Sequence, residues 1–373
     1  MFDMPCYQAP DFTAPAFQSA PDVRLAPAPM DAVAPDDYHA TSIYPEYFKM
    51  GGSWVLAEES RMDCVAVVRE GAIAVREFRS LKAGEMVVLG RTERGGDGIY
   101  VHMNGFRRAC GGSDSFAFRT GRSRETAYSR DYDALYELLH HERDHGNILW
   151  VLGPACSFDS DARDAMADLI ARGYVSALQA GNALATHDLE GGLFKTALGQ
   201  DIYTQELIEN GHYHHIDVIN KVRACGSIPA FVEKYDIANG IMAACVKKNI
   251  PFVLTGSIRD DGPLPEVYAD VYRGQDATRA LIRRATTVVC VATQLHTIAV
   301  GNMTPSYRVV DGVVRPLFIH TVDISEFAVN KLRDRGSLSV TSFIANAQDF
   351  LVNVSRGLQK CENQSLQIAP SRL

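Results

Sequence analysis

The loop in residues 251–265, PFVLTGSIRDDGPLP, concentrates side chains able to do chemistry. An apolar run (Phe252, Val253, Leu254) stops at Gly256, and Ser257, Ile258, Arg259, Asp260, Asp261 and Gly262 follow before two prolines. A guanidinium can clamp a carboxylate through paired hydrogen bonds, and a carboxylate can attract an ammonium group and take its proton. Ligands of open α/β sheets lie outside the carboxyl ends of strands, so a charged loop there predicts one wall of a binding site. A tight turn capped by its own aspartates is the plainer alternative.

Three other segments have the same form. Gly153-Pro154-Ala155, Gly181-Asn182-Ala183 and Thr293-Gln294-Leu295-His296 put small or polar residues where an apolar strand gives way to a loop or helix. Exposed backbone N–H groups at such places accept phosphate. With Gly256-Ser257-Ile258 they suggest a nucleotide crevice, although no G-x-G-x-x-G follows a strand, and ordinary βα turns remain open. Asp323 ends the run PLFIHTVD; its carboxylate suits a ribose or, more simply, the cap of a following helix. His141, Glu142 and His145 spell H-E-x-x-H, a zinc spacing. The pattern ends a helix just before Gly146, where the dipole favours histidine, and no third ligand follows, so no metal site is expected. His212, His214 and His215 form a second cluster, of which His212 or His215 could face a ligand. Arg119, Arg122 and Arg124 suit either a carboxylate clamp or a solvated charge run. The absence of a G-x-S-x-G elbow argues against an α/β-hydrolase.

These residues need strands to present them. From about Tyr128 the pattern alternates helix and strand, with strands NILWVLG, VSALQAG, IPFVLTG, ATTVVCVA and PLFIHTVD, which predicts a parallel sheet covered on both faces. Before it, short β-branched runs broken by glycine (CVAVVREGAIAVREF, GEMVVLG, GIYVHMNGF) predict a smaller β-rich domain. Eight of the 16 prolines lie in the first 45 residues, a composition unable to build its own core. The expected organisation is an arm at 1–45, extended along another surface such as a neighbouring subunit or disordered, a β-rich domain at 46–125 and an α/β domain at 126–373.

The 373 residues carry a formal charge of −8, with 46% hydrophobic and 22% charged residues. Such a chain lacks the basic excess of a nucleic-acid binder, which leaves small molecules as the expected partners. No apolar run approaches the roughly 20 residues of a membrane span, and the N-terminus lacks a signal-peptide pattern, so the cytoplasm is the expected location. The eight cysteines are scattered without a C-x-x-C pair and read as reduced thiols. A homo-oligomer, dimer or tetramer, is expected from the commonness of such symmetry.

The blocks WVLGPA, GYVSALQAGNALATHDLEGGLFKTALG, GHYHHIDVINKVRACGSI, VLTGSIRDDGPLPEV and TQLHTIAVGNMTPS resemble, in this order, the archaeal-type ornithine cyclodeaminase family. The family is also called LOR/SDH and is fused behind an arginine dihydrolase in cyanobacteria. The resemblance covers about residues 50 to 355. It implies an α/β fold with a Rossmann-like parallel sheet of the deoxyhypusine-synthase-like NAD-binding type, preceded by the β-rich domain. It also implies conversion of L-ornithine to L-proline and ammonia by hydride removal from Cα, cyclisation with loss of ammonia, and re-reduction by the same cofactor. Joined to loop position, it assigns Arg259 to the α-carboxylate, Asp260 or Asp261 to the δ-amine, and Asp188, His187 or His296 to the α-amine. Asn182 and His212 become substrate contacts, and the four strand ends with Asp323 become cofactor contacts. Without a dihydrolase domain, the chain is not expected to make ornithine from arginine. An opine-type dehydrogenase, a homospermidine-type synthase and a non-catalytic NAD or amino-acid sensor remain the alternatives.

Overall fold

The computed structural model describes residues 2–107, 129–260, 262–325 and 340–368. Asp261, the arginines 119, 122 and 124, and the segment expected to form a helix behind Asp323 lie outside the described residues.

Seven parallel strands form the large sheet, in the order Val267–Tyr268, Phe252–Thr255, Ala177–Gly181, Ile148–Leu152, Thr287–Val291, Phe318–Asp323 and Val340–Ile344. The chain lays its strands outward from Ile148–Leu152 in one direction and then returns to fill the other side. The order therefore reverses between Ile148–Leu152 and Thr287–Val291, the switch point at which α/β sheets open a crevice. Both switch-point strands are buried along their whole length, as expected where helices cover both faces. Side chains alternate between the layers. Ile148, Trp150 and Leu152 join Leu139, Met166 and Leu169, while Leu149 and Val151 join Val288, Cys290 and Ile282. Trp150 is wholly buried and its indole N–H donates to the carbonyl of Tyr174 at 2.9 Å. Burial pushes the thiols of Cys156, Cys245 and Cys290 up to about 12, so they pack as small apolar groups.

The β-rich unit holds a four-stranded and a three-stranded sheet around Phe48, Ala66, Val88 and Ile99. The proline-rich arm is part of this unit. Arg24–Pro27 pairs antiparallel with Met86–Leu89, and Cys6–Tyr7 pairs with Phe106–Arg107. Phe12 stacks on Trp54 with centroids 5.0 Å apart, and Phe17 meets Tyr100 edge-on at 4.8 Å. The Lys49 ammonium donates to the carbonyls of Phe17, Gln18 and Ala20 at 3.1, 2.8 and 2.6 Å. The segment therefore follows a surface of its own chain. A proline-rich segment cannot form a core but can be laid on one, because its backbone groups find partners in strands already made.

The two units meet along a charged seam. The Glu77 carboxylate pairs with Arg61 at 2.9 Å, with Arg79 at 2.6 Å and with Arg279 of the helix Val271–Ile282. Arg79 reaches Asp276 of the same helix at 2.6 Å. The Tyr307 hydroxyl donates to the carbonyl of Ala57, and the Ser306 N–H donates to that of Ile43 at 3.1 Å.

Candidate functional site

The floor of the switch-point crevice is made by backbone. The Gly153 N–H donates to the Val291 carbonyl at 2.8 Å. A Cβ at Gly153 would overlap the carbonyl of Ala292, whose own φ of 53° turns the chain sharply out of its strand. Only glycine fits there. The turn Pro154–Ser157 follows, and Gln348 of the C-terminal helix donates to the Ala155 carbonyl at 2.9 Å, which fixes it.

Two helices begin at the strand ends without a side-chain cap. Asn182–Phe194 starts directly after Gly181, and Gln294–Met303 directly after Thr293. Their first-turn N–H groups are left for a ligand, whereas Asp159 and Asp270 cap their own helices through bonds of 2.8 and 2.7 Å. Asn182 is buried, and its Oδ1 accepts from the Leu264 N–H at 3.0 Å. It fastens the far end of the charged loop to the helix start. Ala183 is partly buried beside it, and Gln294 and Leu295 are exposed at the rim.

The loop after Phe252–Thr255 folds on itself. The Ser257 N–H donates to Asp260 Oδ2 at 2.8 Å and the Arg259 N–H to Ser257 Oγ at 3.2 Å. The turn that was the plainer expectation is thus present, yet it leaves the Ile258 and Arg259 side chains exposed. His296 lies across from it. Its Nε2 is 3.0 Å from Thr255 Oγ1, and its buried Nδ1 has no hydrogen-bond partner. Gly181 passes so near that a Cβ there would sit 3.1 Å from His296 Cε1. Burial lowers the His296 pKa, and the negative charge of Asp260 opposes that shift. Gly181, Thr255, Asp260 and His296 are therefore one constellation. At the next strand end, Asp323 accepts from the Ser325 N–H at 2.8 Å in a local turn.

Other expected site residues lie elsewhere or have their groups engaged. Asp188 is 1% exposed and pairs with the buried Arg163 at 2.9 Å. It also accepts the N–H groups of Ile241 and Met242 at 2.9 and 2.8 Å, the start of another helix. Its lone pairs are spent on structure, so the expectation that it handles the α-amine is corrected. His212 is exposed against Tyr213 on a surface turn. His187 packs edge-on against Phe158, just beyond the Pro154–Ser157 turn, and its Nδ1 lies 2.8 Å from Glu190. Thr196 donates to Glu190 at 2.9 Å and so accepts from His214 Nδ1 at 2.8 Å. Glu142 of the H-E-x-x-H pattern turns inward to Arg315 at 2.7 Å.

Sequence reasoning missed Thr255, Gln179 and Glu190. Gln179 is buried in the middle of a strand with Oε1 unpaired and Nε2 3.4 Å from Thr255. A glutamine inside ALQAG, and a histidine and glutamate three apart on one helix face, were the available signals.

A parallel sheet with a glycine-floored crevice at its switch point defines an α/β protein of the Rossmann class. The family model described as "Arginine dihydrolase ArgZ-like, C-terminal, Rossmann fold" matches residues 134–354. The ornithine cyclodeaminase of Methanopyrus kandleri is 37% identical over 342 residues, 91% of this chain and 79% of that protein. Among solved structures, a LOR/SDH protein of Methanococcus maripaludis superposes with a TM-score of 0.82 at 34% identity, covering 92% of this chain and 99% of that one. AgrE, the bifunctional arginine dihydrolase/ornithine cyclodeaminase of Nostoc, was solved as a ternary complex with ornithine and NAD+. It matches at TM-score 0.58 and 32% identity over 93% of this chain and 47% of that one. The chain belongs to the family of archaeal ornithine cyclodeaminases and ArgZ-like C-terminal domains.

Proposed function

We propose that this chain is an NAD-dependent ornithine cyclodeaminase converting L-ornithine to L-proline and ammonia. The observation that carries the reading is the constellation of Asp260 and the partly buried His296 at the strand ends, with the exposed guanidinium of Arg259 on the same loop as Asp260. The names of its relatives, and the ornithine and NAD+ of the AgrE complex, support it.

The residues present fit a dinucleotide. Gly153, Pro154 and Ala155 floor the crevice, and Gly181, Asn182 and Ala183 and Thr293, Gln294 and Leu295 offer uncapped helix starts. Gly256, Ser257 and Ile258 would line its side, and Asp323 would take a ribose hydroxyl with the oxygen its local turn leaves over. NAD, when bound, supplies the hydride acceptor for Cα and the hydride for the final cyclic imine, so no net redox change occurs. Arg259 holds the α-carboxylate. His296, whose pKa burial lowers, takes a proton as the α-amine becomes an imine and returns it to the nitrogen that leaves as ammonia. Asp260, or Asp261 next in the sequence, attracts the δ-ammonium and relieves it of a proton, since only the neutral amine attacks. Asn182 positions the loop that carries these groups. His187, with Nδ1 held by Glu190, would offer its other ring nitrogen to the substrate.

The test is incubation of the purified chain with L-ornithine and NAD+. Equimolar proline and ammonia with no lasting rise in NADH absorbance are expected. Net NADH would replace this reading with a dehydrogenase, and bound NAD without any product would leave the sensor.

A further inference from the structure

At the amino ends of the strands, opposite the crevice, the seam between the two units opens into a cavity of about 500 Å³. That size lies within the roughly 300–1,000 Å³ of ordinary small-molecule sites. Its walls come from both units: Glu58, Glu59 and Arg76 from the β-rich unit, and Arg283, Arg284 and Arg308 from the sheet unit. A second hollow of about 210 Å³ shares Arg76 and Arg283 with it.

The charges do not balance. Glu59 alone serves two arginines, Arg283 at 3.0 Å and Arg308 at 3.8 Å. The Arg308 guanidinium is otherwise committed to the carbonyls of Ile282 and Ala285, and burial lowers its pKa to about 10. Among the described residues Arg76 has no ion pair, and its buried Nε has no hydrogen-bond partner there. Burial, and then the like charges of Arg69 and Arg283, lower its pKa. Among the described residues Arg284 is exposed and unpaired, and Glu58 is the one free carboxylate at the wall. Holding unmatched guanidinium groups together costs stability unless something of opposite charge joins them.

We propose that this seam cavity is a binding site for a small organic oxyanion with at least two negative charges, held by Arg76, Arg283 and Arg284. Guanidinium forks match phosphate and carboxylate oxygens alike, so the shared chemistry is a multivalent oxyanion. The cavity is larger than a single inorganic ion needs. A ligand there touches both units at once, and Thr286 in its wall leads into the strand Thr287–Val291 that ends at the crevice floor.

The proposal does not rest on the reaction proposed above, and binding tests it directly. The full chain with saturating NAD+ is titrated calorimetrically with pyrophosphate, inorganic phosphate and citrate at constant ionic strength, in wild type, Arg76→Gln and Arg284→Gln. Saturable binding of pyrophosphate or citrate, weakened about tenfold or more in both variants, is expected, and the preferred titrant separates phosphate from carboxylate ligands. Phosphate alone should bind more weakly than either. The unfolding temperature of ligand-free Arg76→Gln should equal or exceed that of wild type, because Arg76 holds no bond to lose, which keeps the variant informative. Equal affinities in wild type and variants would move the anion to another site, and no saturable heat with any titrant would leave the arginines merely solvated; either result overturns the proposal.

Discussion

Burial removes the water that would solvate the His296 cation and so lowers its pKa, against a smaller opposing pull from Asp260. Its folded pKa lies below the ordinary value of 6.5, so between the two the unfolded chain binds more protons. Stability is therefore complete above about pH 6.5 and declines as pH falls toward the folded value. His102 and His141, also lowered chiefly by burial, act in the same direction. Unfolding temperature should be flat above neutrality and drop below it, with a shallower drop in His296→Gln. The same variant should bind NAD yet lose turnover by about 10²–10⁴-fold, together with the acid limb of its pH–rate profile. Asp188 is predicted to behave differently. Asp188→Asn strands a buried guanidinium and should cost about 3–5 kcal/mol, read from the urea midpoint. Asp260→Asn should leave that midpoint in place while stopping turnover. Native stability in Asp188→Asn alongside lost turnover would restore Asp188 to proton handling.

At the scale of elements, the crevice depends on how closely two strand ends approach. Gly153→Ala drives a methyl group into the Ala292 carbonyl, so it should abolish cofactor binding and lower the melting temperature, whereas Ala183→Gly should do little to the crevice floor. Fluorescence titration with NADH would read the difference. Much of this level was legible in the sequence: the five apolar runs behind Leu152, Gly181, Thr255, Val291 and Asp323 are strands, and their ends do gather. The edge strands were not. Val267–Tyr268 is two residues long and pairs only because Phe252–Thr255 offers it an edge, and Val340–Ile344 is partly exposed and shows no long apolar run. Asp188 was misread for a related reason. Nothing in THDLEGG announces that Arg163, 25 positions earlier, is buried against it. Long apolar runs declare themselves locally, whereas the partner of a single charge is set by tertiary packing.

For the molecule as a whole, the arm is an integral layer of the β-rich unit. Phe12 touches Tyr47, Trp54 and Tyr100, so Phe12→Ala should lower unfolding free energy by about 1–3 kcal/mol. Chemical denaturation would measure it, and an unchanged midpoint would mean the arm is only loosely laid down. The seam behind this unit carries a different consequence. Glu77 gathers three guanidinium groups from both sides of the joint, and Arg79 and Tyr307 bridge it independently. These contacts tie the two sides of the joint together. On the crevice side, Asn182 latches the end of the charged loop through the Leu264 N–H. In the proposed reaction the dinucleotide hands back its own hydride, so it need not leave between turnovers. On that reading only the amino acid and its products have to come and go.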